Sequence, residues 1–427
     1  MRGSTAPAPT SYSDRVSVRT EQSGQRVLVV GAGMAGVQTA VQLREQGWPG
    51  AITLIGAEPH RPYDRPPLSK ALLLGKATGA AFDVDFGTLG IDLRLGHGAT
   101  GLRPGNRVVD TDAGPLPYDH LVLATGAEPV RLPGAEDVPG VHLLRTLDDA
   151  ERLRPVLAGQ RDVVVVGAGW IGAEFATAAR EAGCRVTVVE AAGRPLAGVL
   201  PPQVADHMRR WYAEAGAELR TGHAVTAVRP GGADSCAVEL SDGSVLTAGA
   251  VVVGIGARPA TGWLAGSGVA LGEDGSVLAD EYLRASVPGV YAVGDCASFP
   301  SARYGRRLLV HHWDNALQGP RTVASVLTVG EAETPPYDPV PYFWSEQFGR
   351  FVQYAGHHED ADELLWRGDP AGAAWSVCWL RDGVLNALLA VGRPRDIAQG
   401  RKLIEQSAVL DPVRAADPAV PLKRAVR

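Results

Sequence analysis

The chain has 427 residues, 45% of them apolar and 21% charged, with a formal net charge of −6. That length allows two or three domains with real cores, and the composition is that of a globular protein. The acidic balance argues against a nucleic-acid binder but leaves room for a local basic docking patch.

The opening stretch, residues 1–24 of MRGSTAPAPTSYSDRVSVRTEQSGQR, lacks the apolar core of a secretory signal and is expected to be a disordered leader. No apolar run approaches the ~18 residues of a membrane span, so no membrane contact and a cytoplasmic location are expected. From there strand-like runs alternate with Ala- and Leu-rich helical stretches, an α/β pattern. Arg26 to Val30 predicts a strand, Met34 to Gln46 a helix ended by Gly47, and Ala51 to Ile55 a second strand. The first junction reads VLVVGAGMAG, a G-x-G-x-x-G loop made of Gly31, Gly33 and Gly36 around Met34 and Ala35. The first glycine permits a tight turn, the second lets the backbone approach a pyrophosphate, and the third lets helix pack on strand. An acid after the second strand would take the ribose hydroxyls. Glu58 stands there one position late, as that acid or as a plain surface carboxylate.

Residues 61–70 read RPYDRPPLSK. Three prolines stiffen the turn and a helix can start at Leu68. Arg65 and Lys70 then project from a rigid element as fixed cations beside a flavin, or from a solvated basic loop. His120 to Gly126, HLVLATG, predicts a strand running into the turn Ala124-Thr125-Gly126.

The loop then recurs as VVVVGAGWIG, with Gly167, Gly169 and Gly172 around Trp170 and Ile171. Its helix is expected over Ile171 to Ala182 and its next strand over Arg185 to Val189. Glu190 ends VTVVE eighteen residues past Gly172 (190 − 172). A carboxylate there repels a 2′-phosphate and favours NADH over NADPH, although Arg194 lies four residues on. Val251 to Gly256 and Val290 to Gly294 resemble strand exits. The order implies an insertion: a first nucleotide domain over 25–126 and 256–333, a second over 127–255, and a C-terminal α+β domain over 334–427. The last begins in the Pro-rich TPPYDPVP and contains a predicted hairpin around Arg381-Asp382-Gly383. Cys184, Cys236, Cys296 and Cys378 form no close pair, so no redox dithiol and no metal site are expected. Cys296 reads either as a neighbour of the cofactor or as a small buried apolar residue.

RPYDRPPLSK, the doubled GAGxxG, the ATGAEP and GIGARP turns, YAVGDCA and FWSEQF together resemble the NADH-dependent ferredoxin reductases of oxygenase systems. The resemblance covers nearly all the chain after the leader. It implies a glutathione-reductase-like fold, with a Rossmann-like NAD domain inserted in a Rossmann-like FAD domain. By that resemblance Gly31, Gly33, Met34, Ala35, Gly36, Glu58, Arg65, Lys70, Thr100, Ala124, Thr125, Gly126, Arg145, Asp295 and Trp313 serve FAD. Gly167, Gly169, Trp170, Ile171, Gly172, Glu190 and Gly256 serve the nicotinamide nucleotide. Lys70 and Glu174 would tune hydride transfer electrostatically. The implied acceptor is a 2Fe–2S ferredoxin serving an oxygenase; Arg303, Arg306, Arg307 and Trp344 are candidate docking residues, or a solvated loop and a core aromatic.

Departures from the family pattern are Ala57, where an acid is usual, and the pair His311-His312 before Trp313. Two other readings remain: a flavin reductase acting directly on a small molecule, and a non-enzymatic flavoprotein like the apoptosis-inducing factors.

Overall fold

A computed structural model describes residues 22–232 and 234–427, which group into two compact units. The first holds residues up to 63, 82–126 and 259–338; the second holds 64–81, 127–258 and 339–427. The leader expectation falls mostly on residues 1–21, outside the described residues.

In the first unit β1 (Arg26–Val30) runs into α1 (Met34–Glu45), followed by β2 (Ala51–Gly56), β3 (Ile91–Leu95) and β4 (His120–Leu123). With Val290–Ala292 they form a parallel sheet ordered Val290–Ala292, β4, β1, β2, β3. The unbroken apolar run VLVV follows from burial on both faces. Val27 and Val29 join the cluster holding Val37, Ala40 and Leu43 of α1, while Leu28 and Val30 face Leu121, Leu123 and Val290.

The second unit repeats the plan with β5 (Val163–Val166), α2 (Trp170–Glu181), β6 (Val186–Glu190), α3 (Pro202–Glu214), β7 (Glu218–Thr221) and β8 (Ala250–Val253). Its parallel sheet is ordered β7, β6, β5, β8, Val141–His142. The same unit contains an antiparallel five-stranded sheet ordered β9 (Tyr342–Gln347), β10 (Arg350–Gly356), Val384–Val391, Trp375–Arg381, Glu363–Arg367. Asp382 and Gly383 both have positive φ, 52° and 76°, as a tight two-residue hairpin requires. One face of this sheet shares a core with α3: Val204, Met208 and Trp211 pack with Val352, Trp375 and Leu389. On the other face Ile397, Leu403 and Leu410 cover Leu380 and Leu388. The fully buried Arg367 pairs with Asp396 at 3.2 Å and donates to the carbonyls of Asp417 (3.1 Å) and Val420 (2.9 Å), which pins the chain end. Burial pushes the Asp396 carboxyl up, but hydrogen bonds from Arg367 and Ser376 outweigh it and hold it below its ordinary value.

The helix expected at Leu68 is instead one 3-10 turn, Pro66–Ser69. The backbone leaves the helical region at Lys70 (φ −132°, ψ −112°), which ends the turn.

Candidate functional site: two nucleotide cradles

The two glycine loops have nearly the same geometry. Gly31 has φ +111°, and a Cβ there would lie 2.2 Å from the Ala124 carbonyl oxygen; Gly167 has φ +102°, with the Gly254 oxygen at 2.3 Å. A Cβ on Gly36 would meet the Gly31 oxygen at 1.7 Å, and one on Gly172 the Gly167 oxygen at 2.1 Å. The middle glycines differ from these. Gly33 and Gly169 face open space, with no atom within 4 Å of a built Cβ. Each is also the N-cap of its helix, with no side-chain cap and no acid in the first turn. Amide donors therefore point at an open approach, the arrangement that receives a pyrophosphate. The residues present thus fit a dinucleotide at each loop.

Around the first loop, the Gly126 turn has φ +72° and the Gly294 turn φ +72°; a Cβ on Gly294 would lie 2.9 Å from the Ala35 methyl. That contact seats Asp295 beside the first turn of α1. Ala124 is buried and Thr125 half-buried, while Thr100 is exposed at a bulge in Ala99–Arg103. Glu58 accepts a hydrogen bond from the Tyr63 hydroxyl. Trp313 opens the helix Trp313–Thr328, preceded by His312 as N-cap. Burial pushes the His312 imidazole down to about 4, against the pull of Asp295.

At the second loop, Glu190 accepts from the amide of Ala168, inside the loop, and from that of Ala192, both at 2.8 Å. Arg194 pairs with Asp206 at 3.5 Å. Gly256 has φ +120° and accepts from the Val130 amide at 2.9 Å. Ile171 and Ile255 are 47% and 38% exposed, unusual for isoleucine beside two glycine turns. Sequence reading passed over Ile255. Trp170 meets Phe343 edge-on at 4.7 Å.

Arg65, Lys70 and Arg145 belong to this second unit. The Arg65 guanidinium donates to the Arg145 carbonyl at 2.6 Å. Glu174 is 5% exposed and takes Lys70 Nζ at 2.8 Å and Ser69 Oγ at 2.6 Å on one oxygen. Its other oxygen takes Ser345 Oγ at 2.8 Å. Neither serine was legible as part of the site.

Of the docking candidates, Arg307 is exposed and donates from Nη1 to the carbonyls of Ala279 and Ser298, at 2.6 and 2.7 Å. The Arg303 amide donates to Asp338, and Arg306 is exposed. Trp344, in the other unit, is half-buried and stacks on Tyr342 at 6.1 Å. All four cysteines are free and buried, and among the described residues no His/Cys/Asp/Glu cluster suits a metal ion. Among the described residues no helix is long and apolar enough to cross a membrane.

Two pyrophosphate cradles on two parallel sheets define a double-dinucleotide oxidoreductase. The comparisons agree. The pyridine nucleotide-disulphide oxidoreductase model matches residues 25–319, and a reductase C-terminal model matches 342–426. Rhodocoxin reductase of Rhodococcus erythropolis is 37% identical, covering 94% of this chain and 94% of its own. The ferredoxin–NAD(+) reductase component of the p-cumate 2,3-dioxygenase system of Pseudomonas putida is 35% identical, covering 93% and 98%. The crystal structure of the covalent putidaredoxin reductase–putidaredoxin complex matches with a TM-score of 0.89 at 34% identity, over 94% of this chain and 98% of that one. The chain belongs to the pyridine nucleotide-disulphide oxidoreductases, within the branch of the ferredoxin reductases of oxygenase systems. Its cofactors are accordingly FAD and a nicotinamide nucleotide.

Proposed function

We propose that the chain is an FAD-dependent NADH:ferredoxin oxidoreductase that supplies single electrons to a 2Fe–2S ferredoxin serving an oxygenase. The observation that carries this reading is the doubled cradle, one in each unit, joined to a chain whose four thiols are singly buried. Bound FAD supplies the conversion of a two-electron hydride into single electrons. The protein's part is to bind and orient, and it needs no nucleophile.

The first loop, Gly31 to Gly36, with Asp295 and Trp313, holds FAD. The second loop, with Trp170, Ile171 and Gly256, holds the nicotinamide nucleotide. Glu190 sets the preference for NADH: its carboxylate is braced on two amides, so a 2′-phosphate would meet a fixed negative charge. Arg194, four residues past Glu190, is engaged by Asp206. Lys70 and Glu174 are the charged pair that tunes hydride transfer, Arg65 is a fixed cation for the flavin, and Arg145 is the arginine for the FAD pyrophosphate. Arg303, Arg306 and Arg307 in the first unit, and Trp344 in the second, are the candidate acceptor-docking residues; Arg307 also bonds its own sheet through Nη1.

The test is reduction of a 2Fe–2S ferredoxin by the purified holoenzyme, with NADH or NADPH as donor. Ferredoxin reduction should favour NADH and fall steeply with salt, while NADH-to-dye activity persists. A flat salt response, or equal use of the two donors, contradicts the docking or the donor assignment respectively.

A further inference from the structure

Glu174 is a buried carboxylate with more hydrogen-bond donors than a simple ion pair supplies. Lys70 Nζ and Ser69 Oγ reach one oxygen; Ser345 Oγ reaches the other at 2.8 Å, with the Glu346 amide at 3.3 Å. The first two donors come from the proline-stiffened turn before α2. The other two come from β9, at the edge of the antiparallel C-terminal sheet. One turn further along α2, the Thr177 hydroxyl accepts from the Phe348 amide at 2.9 Å, so β9 and α2 are tied twice. Residues alternate along β9, and Ser345 at 1% exposure faces inward while its neighbour Trp344 is half-exposed.

An ammonium on a four-carbon stem has no fixed direction of its own. Its position is set by the carboxylate it pairs with, and that carboxylate can swing about its terminal torsion. With only Lys70 and Ser69 on one oxygen, Glu174 would be held at one corner. Ser345, with the longer bond from the Glu346 amide beside it, closes the other corner.

We propose that Ser345 is a positioning residue for hydride transfer: it locks the Glu174 carboxylate, and through it the Lys70 ammonium, so the C-terminal sheet completes the charged pair. The inference rests on the role given above to Lys70 and Glu174.

The experiment is anaerobic flavin reduction by NADH, followed by stopped flow, in Ser345→Ala, Ser345→Thr, Glu174→Gln and the Ser345→Ala/Glu174→Gln double variant of the holoenzyme. The flavin midpoint potential and the NAD+ dissociation constant are measured in each. Loss of one buried hydrogen bond should slow the limiting reduction rate about five- to tenfold in Ser345→Ala. The NAD+ dissociation constant should stay within about twofold, because no ground-state contact to the nucleotide is lost. Ser345→Thr keeps the hydroxyl and should restore most of the rate. In the Glu174→Gln background Ser345→Ala should have no further effect on rate or potential. An equal loss in both backgrounds, or a Thr variant as slow as the Ala variant, overturns the inference. A Glu174→Gln enzyme with wild-type rate and potential overturns instead the role of the pair itself. If Ser345→Ala does not fold, Ser69→Ala with the same cycle tests the opposite corner of the carboxylate, where the same pattern is expected.

Discussion

The two glycine loops are near copies, but the acids that follow them are used differently. In both, the first and third glycines are required by carbonyls 1.7 to 2.3 Å from a built Cβ, and the second stands open. Glu190 turns back and binds the amide of Ala168 within its own loop, whereas Glu58 is engaged by the Tyr63 hydroxyl. The first and third glycines of each loop are therefore fixed by steric necessity. The acids that follow have different partners, and the proposed preference for NADH rests on Glu190. A cofactor that stays bound needs no selective acid, while a substrate nucleotide that comes and goes does.

The largest expected effect breaks the two loops separately. Gly36→Ala should lower FAD affinity more than about 100-fold, because the backbone must shift to accept the methyl. That protein should be purified colourless. Gly172→Ala should stay yellow and lose NADH affinity instead, which ultrafiltration and NAD+ titration distinguish.

Next comes acid stability, which sharpens the contrast on the FAD side. His312 is held near 4 in the folded chain and lies near 6.5 unfolded. Above pH 6.5 both states are neutral and its contribution is complete. As the pH falls from 6.5 through 4 the unfolded state takes up the proton first, so stability declines. His312 accounts for about 3 kcal/mol of that decline. Denaturant unfolding at pH 7.5 and pH 5 should show a smaller difference in His312→Asn than in wild type.

Glu190→Gln should raise the NADH KM about tenfold and bring NADPH closer to parity, as loss of a charged hydrogen-bond partner predicts. Glu58→Gln should change FAD retention less than about threefold, since its partner is a neighbouring tyrosine. Equal effects at the two acids would mean that Glu58 and Glu190 serve their nucleotides alike.

The smallest effect concerns the arginines. Arg306→Glu should raise the ferredoxin KM about three- to fivefold at low salt. Arg307→Ala should lower Tm instead, because its guanidinium closes two backbone carbonyls.

How much of this the sequence carried depends on distance along the chain. The glycine loops were legible because spacing alone dictates their turns, and Glu190 because it ends a strand of fixed length. The short 3-10 turn at Pro66–Ser69 departs from the helix start expected at Leu68 because a favourable first position says nothing about where the backbone leaves the helical region. The partners of Glu174 were invisible: Ser69 is 105 residues away and Ser345 is 171. No local pattern marks a serine as one whose hydroxyl reaches a distant carboxylate. The core that α3 shares with the C-terminal sheet was hidden for the same reason, since Trp211 and Trp375 become neighbours only on folding. A run of arginines likewise does not reveal that Arg307 also bonds two carbonyls of its own sheet.

The most direct test of the central claim is an anaerobic titration of the purified protein with NADH, watched in the visible spectrum. One FAD per chain should be bleached by one equivalent of NADH, with Gly172→Ala yellow but slow and Gly36→Ala colourless. A protein that binds no flavin on reconstitution, or a bound flavin that NADH does not reduce, would contradict the assignment of the two cradles.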